Sequence, residues 1–135
     1  MKTVKLFMDA WLDDSLGTKP IFHDLLGNLL EKENVNIEFF GRPGISYSFR
    51  GTHEGQNDRP LFVMIDVIDD DPKARWFSVC FYGDAIEDPD ERGDLIPEGL
   101  LGSDGYCFDI IESDEPLKKY VCERIQEAYE NVCKG

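Results

Sequence analysis

The residues with the clearest potential for chemistry are carboxylates, and they concentrate in the connection between Asp84 and Gly105. One segment of it, DPDERGDLIPEG, carries acids at the first and third positions of a calcium-binding loop and glycine at the sixth. Its fifth position is Arg92, and its twelfth is Gly99, where such a loop needs a bidentate glutamate. We therefore predict a solvated acidic surface in place of a calcium site. Its members are Asp88, Asp90, Glu91 and Asp94.

A second acidic group is the turn Asp69-Asp70-Asp71. Three adjacent carboxylates repel one another and hold a hard divalent cation weakly, but Asp is also frequent in turns because its side chain hydrogen-bonds to the backbone. Asp66 is the one carboxylate inside an apolar strand run, which suggests that desolvation raises its pKa, although an acid that faces water at a strand end explains the position equally well. Paired acid–base catalysis needs a second carboxylate in a different environment, and the sequence places none beside Asp66.

Motifs for nucleophilic catalysis or cofactor binding do not occur in the sequence. Ser46 and Ser48 lack a strand-turn-helix elbow, and His53 and Cys80 have no partner at a diagnostic spacing. The four cysteines form no CxxC pair, and neither GxGxxG nor a P-loop is present. We therefore predict no catalytic residue, metal ligand or cofactor, while an approach of Ser or Cys to His in the fold stays open.

Basic residues with aromatic neighbours gather in the middle third of the chain. In so acidic a protein they could form a small anion-binding pocket over a sheet. The interpretation we favour is that these arginines pair with the surrounding carboxylates across strands, because surface pairing is easily arranged. The residues proposed for the pocket are Arg42, Tyr47, Arg50, Arg75 and Trp76.

Composition limits the class of protein. A chain of 135 residues predicts a single domain over residues 1–135, and 14 basic against 28 acidic residues give a net charge of −14. This charge disfavours binding to nucleic acids and to anionic membranes. The interpretation we favour is that it keeps the protein soluble, and it also suits a basic protein surface or a divalent cation. No apolar run is long enough to span a bilayer and no signal peptide is evident, so we predict a cytoplasmic protein with reduced thiols. The sequence leaves the oligomeric state open.

The hydrophobic periodicity predicts the element order ααββββα. Two amphipathic helices come first and a third ends the chain, while the runs between them alternate with a period of two. The stretch from Leu61 to Tyr82 predicts a central hairpin, since both faces of its first strand are mostly apolar. Asp84 to Gly105 is expected to be a long loop. The fold class is α+β, an antiparallel sheet of about four to five strands with the helices packed on one face.

Four segments together resemble a known group of proteins: GRPGISYSF, LFVMIDV, RWFSVCFY and IQEAYENV. In order and pattern, from about Pro20 to Val132, the chain resembles the small bacterial YjbR/MmcQ-type proteins and the related YdhG-like group. The resemblance implies a bacterial protein with a fold similar to that of the frataxin-like CyaY proteins. The insertion between Asp84 and Gly105 departs from it. The nucleic-acid role suggested for the YjbR kind conflicts with the charge of −14.

Two functions are expected. The first is a non-enzymatic binding or accessory module, in which the acidic loops recognise a basic partner or a cation. The alternative is a protein that binds a small anionic molecule, or a modest enzyme, with an arginine and aromatic pocket over the sheet.

Overall fold

A computed structural model describes residues 2–134 as one antiparallel sheet with three helices. The helices are α1 (Lys2–Ala10), α2 (Lys19–Leu30) and α3 (Glu115–Lys134). The strands are β1 (Val35–Arg42), β2 (Ser46–His53), β3 (Val63–Ile68), β4 (Trp76–Tyr82), β5 (Asp94–Leu100) and β6 (Ser103–Ile110). The predicted α+β class is therefore confirmed, as is the placement of two helices before the strands and one after them.

The strands lie in the order β1-β2-β3-β4-β6-β5, and every neighbouring pair is antiparallel. The predicted central hairpin corresponds to β3 and β4, which occupy the middle of the sheet. Strand β3 is apolar on both faces because one face packs on the helices and the other is partly covered by chain from β5 and β6.

The sheet has six strands, and the prediction of four to five missed β5. Residues 94–100 were expected to belong to a loop, yet they pair with β6 at the sheet edge. All of these residues except Leu100 are exposed, so no apolar alternation marks the strand. Pro97 fits an edge strand, where one side needs no hydrogen-bond donor. A register shift between Ile96 and Leu100 then bends the hairpin.

One face of the sheet carries all three helices. Phe49 of β2, Val79 of β4 and Phe108 of β6 belong to one cross-strand row and are fully buried. Phe22 of α2 packs edge-on against Phe49, and Tyr120 of α3 packs edge-on against Phe108. Burial of these rings supplies the main core, and it fixes which side of every strand faces away from the helices.

We call the opposite side the open face, and it is partly covered by the β5–β6 hairpin. Leu100 at the hairpin tip is fully buried against a small second core on that face. The next residue, Leu101, has a φ of 50°, and Gly102 has a φ of 88°, so the tip turns through the left-handed region that glycine tolerates best. The tip thereby overhangs β2 and β3. The second core consists of Leu61, Met64, Cys80, Tyr82 and Leu100.

Candidate ligand-binding site on the open face of the sheet

Arg42 and Arg50 line one cavity of about 520 Å³ on the open face. They reach it because Arg42 ends β1 and Arg50 belongs to β2, each on the side of its strand that faces away from the helices. The floor is polar along β2 and mixed along β3, and the hairpin tip forms one wall. The other lining residues are Phe40, Gly41, Ser46, Ser48, Met64, Asp66, Gly99 and Leu101.

The side chain of Arg50 is held by Phe40 and Ser48. Its guanidinium carbon lies 4.2 Å from the centre of the Phe40 ring, and its Nε donates to Ser48 Oγ at 3.3 Å. Glu38 stands directly opposite Arg50 in the strand register. Within residues 2–134 the two nevertheless form no ion pair. The stacking on Phe40 thus leaves the charge of Arg50 available at the cavity.

Asp66 lies in the floor of the cavity, opposite Ser48 in the register of β2 and β3. Burial raises the pKa of Asp66 above its usual value, and the nearby Ser48 hydroxyl, Arg50 and Arg42 offset this only in part. The raised pKa agrees with the expectation from its place in an apolar strand run. The cavity therefore holds two cationic groups and one half-buried carboxyl.

The favoured pairing with carboxylates holds for two of the four arginines in the middle third, and both arginines outside that third are paired as well. Arg59 pairs with Asp84, Arg75 with Asp69, Arg92 with Asp114 and Arg124 with Glu127. In the part of the chain that the structure describes, Arg42 and Arg50 have no carboxylate at ion-pair distance. In a chain with 28 acids, these two unpaired guanidinium groups share one cavity.

Arg75, predicted for the same pocket, lies on the other side of the sheet. It is buried beneath α1, with its guanidinium carbon 5.4–5.5 Å from the rings of Phe7, Trp11 and Tyr47. Its Nε donates to Asp69 Oδ1 at 2.8 Å. The five residues therefore do not converge, because Tyr47 lies on the helix-facing side of β2 and Arg75, just before β4, is held by Asp69 beneath α1. Arg75 is a structural residue.

Trp76 is the last of the five predicted pocket residues. It begins β4 opposite Ile68 and is half-buried on the open face. It does not belong to the cavity lining. Only Arg42 and Arg50 of the predicted group reach the cavity.

Asp69 is a buried partner of Arg75 and not part of an acidic surface. Burial by itself would raise the pKa of Asp69, but the Gly44 N–H and Arg75 together hold it below its usual value. Asp70 and Asp71 are exposed, and the N–H of Lys73 donates to Asp71 Oδ1 at 3.1 Å. The three carboxylates of this turn consequently do not face a common point.

Asp88 also has an internal role. Its carboxylate accepts hydrogen bonds from the Tyr120 hydroxyl of α3 and from the N–H groups of Arg92 and Gly93. These bonds fasten the acidic connection to α3, while Asp90, Glu91 and Asp94 stay exposed. No group of three His, Cys, Asp or Glu side chains with the geometry to hold a metal ion occurs within residues 2–134.

The thiols differ from the prediction of reduced cysteines. Cys80 and Cys107 are direct cross-strand partners on β4 and β6, and a disulfide joins them. The sequence could not show this, because the two cysteines are 27 residues apart and their approach depends on the register of β4 and β6. Cys122 and Cys133 are free.

Cys133 meets His53, which is the Cys–His approach that the sequence left open. The sulfur lies 3.7 Å from His53 Nε2, and the N–H of Gly55 donates to His53 Nδ1 at 3.0 Å. Because Nδ1 accepts, the neutral ring carries its proton on Nε2 and faces the sulfur as a donor. In this arrangement His53 cannot accept the proton of Cys133, so the pair lacks the geometry of a catalytic dyad.

A second cavity, of about 340 Å³, lies between the β2–β3 loop and the end of α3. Its one guanidinium belongs to Arg59, which binds both carboxylate oxygens of Asp84 at 2.6 and 2.9 Å and stacks 4.2 Å from the centre of the Tyr82 ring. With its charge already satisfied, Arg59 offers less to an anion than Arg42 and Arg50 do.

No protein-family model, curated protein or solved structure matches the chain. The resemblance to the YjbR/MmcQ-type proteins therefore stays a prediction. None of the helices within residues 2–134 is both long and apolar enough to cross a membrane.

Proposed function

We propose that the protein binds a small organic anion in the open-face cavity. The observation that carries this proposal is the pair of guanidinium groups, Arg42 and Arg50, that share the cavity without a carboxylate partner in the described chain. Guanidinium groups suit carboxylate and phosphate oxygens because their N–H donors form a planar fork.

The size and lining of the cavity support a small molecule. Its volume of about 520 Å³ lies within the range of ligand pockets, which is about 300–1,000 Å³. Phe40, Met64 and Leu101 provide apolar contacts, and Ser46 and Ser48 provide hydroxyl groups. An organic anion with a short apolar part would use all of these groups, whereas an inorganic ion would use only the polar ones.

The net charge of −14 limits the places on the protein where an anion can bind. Most of the surface repels anions, so an anion binds only where positive groups are concentrated. Non-specific anion binding is thereby suppressed, and the affinity of the cavity depends on Arg42 and Arg50.

A thermal-shift screen with small carboxylates, phosphates and sulfonates tests the proposal. A ligand that binds only the native state raises the unfolding temperature, and the rise grows with the logarithm of the ligand concentration once that exceeds the Kd. The rise should occur in the wild type, disappear in the Arg42→Gln/Arg50→Gln variant, and persist in Arg92→Gln, which removes an exposed arginine on another part of the surface. If no anion gives a rise that depends on Arg42 and Arg50, the proposal is wrong.

A second candidate function is binding of a basic protein surface by the acidic connection. Its support is the exposure of Asp90, Glu91 and Asp94 together, with no ion-pair partner for any of them in the described chain. The Asp90→Asn/Glu91→Gln/Asp94→Asn variant should lose retention on a lysine-rich peptide column. Asp88 is left intact because it fastens the segment to α3. Unchanged retention at low salt would exclude this surface.

A further inference from the structure

We infer that the ligand of the open-face cavity is a zwitterion, whose anionic group meets Arg42 and Arg50 and whose ammonium group meets Asp66. This inference rests on the proposed function and specifies the class of ligand. Amino acids and their close derivatives are the simplest members of that class.

The charges of the cavity lead to this class. Among residues 2–134, only Arg42, Arg50 and Asp66 are ionisable members of its lining. A simple anion bound by the two arginines would place a second negative charge beside Asp66 and lose part of its affinity to that repulsion. An ammonium group on the same molecule would convert the repulsion into a charge-assisted hydrogen bond.

Asp66 is half-buried in the floor of the cavity and forms no ion pair with any residue between 2 and 134. The nearest cationic groups are those of Arg42 and Arg50, which act on it only from beyond ion-pair distance. A carboxylate withdrawn from water without a counter-ion is unfavourable unless something compensates for it. Apart from the arginines that the anion would occupy, its cross-strand neighbours Ser48 and Ser78 carry no charge.

The strand register separates the two kinds of group, as a zwitterion requires. Asp66 lies on β3 in the row of Phe40 and Ser48, while Arg42 and Arg50 stand in the rows on either side of it. The guanidinium of Arg50 nevertheless lies over Phe40 of β1 and bonds to Ser48 of β2, whereas Asp66 is on β3. An anionic group at this guanidinium therefore leaves an adjacent ammonium group within reach of Asp66, one strand farther along the same row. The apolar part of the ligand would lie against Phe40 and the hairpin tip at Leu101.

Matched pairs of compounds test this inference: L-phenylalanine against 3-phenylpropionate, and L-glutamate against glutarate. Each pair differs in the amino group alone. Amide NMR titrations report both the affinity and whether the shifts fall on residues 46–50 and 64–66. In the wild type we expect the amino compound of at least one pair to bind about tenfold more tightly than its partner, as a hydrogen bond to a charged group predicts.

The Asp66→Asn variant should lose this preference, because the amide no longer attracts an ammonium group. Asp109→Asn is the matched control, since Asp109 is exposed and occupies the same open-face row beyond β4. Its preference should equal that of the wild type. A dispersed amide spectrum for both variants shows that they fold.

The outcomes separate the two proposals. One outcome is that binding requires Arg42 and Arg50, but the compound without the amino group binds as tightly as its partner, or more tightly, in every pair that binds. The zwitterion inference is then wrong, and anion binding stands. If no compound shifts the open-face amides in an arginine-dependent way, both proposals fail. A preference that survives Asp66→Asn overturns the role of Asp66.

Discussion

The guanidinium of Arg50 lies over the ring of Phe40 and forms no ion pair with Glu38, its direct partner across the strands. A cross-strand pair of opposite charges ordinarily contributes a few tenths of a kcal/mol. This pair does not form between Arg50 and Glu38, and Arg50 instead lines the open-face cavity. A residue placed in this way contributes little to folding and remains free for a ligand. Arg75, by contrast, is buried in an ion pair with Asp69 and is part of the fold.

Arg75→Met should destabilise the protein by about 3–5 kcal/mol, because it leaves the carboxylate of Asp69 buried without its partner. Arg42→Gln should change stability by no more than about 0.5 kcal/mol, since Arg42 forms no ion pair with any residue between 2 and 134. Urea unfolding at neutral pH measures both. Equal losses for the two variants would contradict the division into a structural and a ligand-binding arginine.

The Arg75–Asp69 pair also predicts a dependence on pH. The pKa of Asp69 is lower in the folded state than in the unfolded chain, where it is about 4. The ion pair therefore stabilises the protein fully above the pKa of the unfolded chain, and this contribution is lost as the pH falls through the pKa of the folded state. Asp69→Asn should therefore flatten the loss of stability on acidification. Asp70→Asn, an exposed neighbour, should retain the wild-type slope.

For Asp66 we predict a pH dependence of stability with the opposite sign to that of Asp69. Its pKa is raised in the folded state, so the ionised form is penalised and stability falls as the pH rises from about 4 through the folded value. Asp66→Asn should therefore be more stable than the wild type at pH 7, with the difference vanishing near pH 3. Denaturant unfolding at the two pH values measures it. A variant less stable than the wild type at pH 7 would show that Asp66 supports the fold when charged.

The disulfide predicts a count of reactive thiols. Without reductant, the denatured chain should react at two cysteines, Cys122 and Cys133, and after reduction at all four. Reduction should lower the free energy of unfolding by about 3 kcal/mol, since a cross-link restricts the unfolded chain. Four reactive thiols in the unreduced chain would mean that Cys80 and Cys107 are not joined.

Two adjacent leucines at the hairpin tip should behave differently. Leu100 is fully buried on the open face, so Leu100→Ala should cost about 2–5 kcal/mol of stability. Leu101 is exposed but lines the cavity, so Leu101→Ala should leave stability unchanged and weaken ligand binding. Unfolding and binding measurements on the same two proteins check this. If Leu101→Ala binds as the wild type does, the tip is not part of the site.

The sequence predicted the main elements because their apolar periodicity is strong. Alternation along β2 correctly separated Tyr47 and Phe49, which face the helices, from Ser46, Ser48 and Arg50. Strand β5 has almost no buried residue, so no periodicity could reveal it. Its edge position becomes evident only from its pairing with β6.

The site could be predicted only in part, because it depends on how the strands pair. Arg42, Arg50 and Asp66 were recognisable from their types and from the run in which each lies. Their convergence required the registers of β1, β2 and β3. The wall formed by Leu101 had no signal at all, since an exposed leucine in an acidic stretch resembles any loop residue.

The most direct test of the account is a fluorescence titration with anilinonaphthalene sulfonate, an aromatic anion whose sulfonate stays ionised at all working pH values. Arg42→Gln/Arg50→Gln should weaken its binding about tenfold or more, as expected for lost hydrogen bonds to charged groups. Arg92→Gln should bind it as the wild type does. Equal affinity of the wild type and the Arg42→Gln/Arg50→Gln variant would contradict the assignment of the open-face cavity as an anion site.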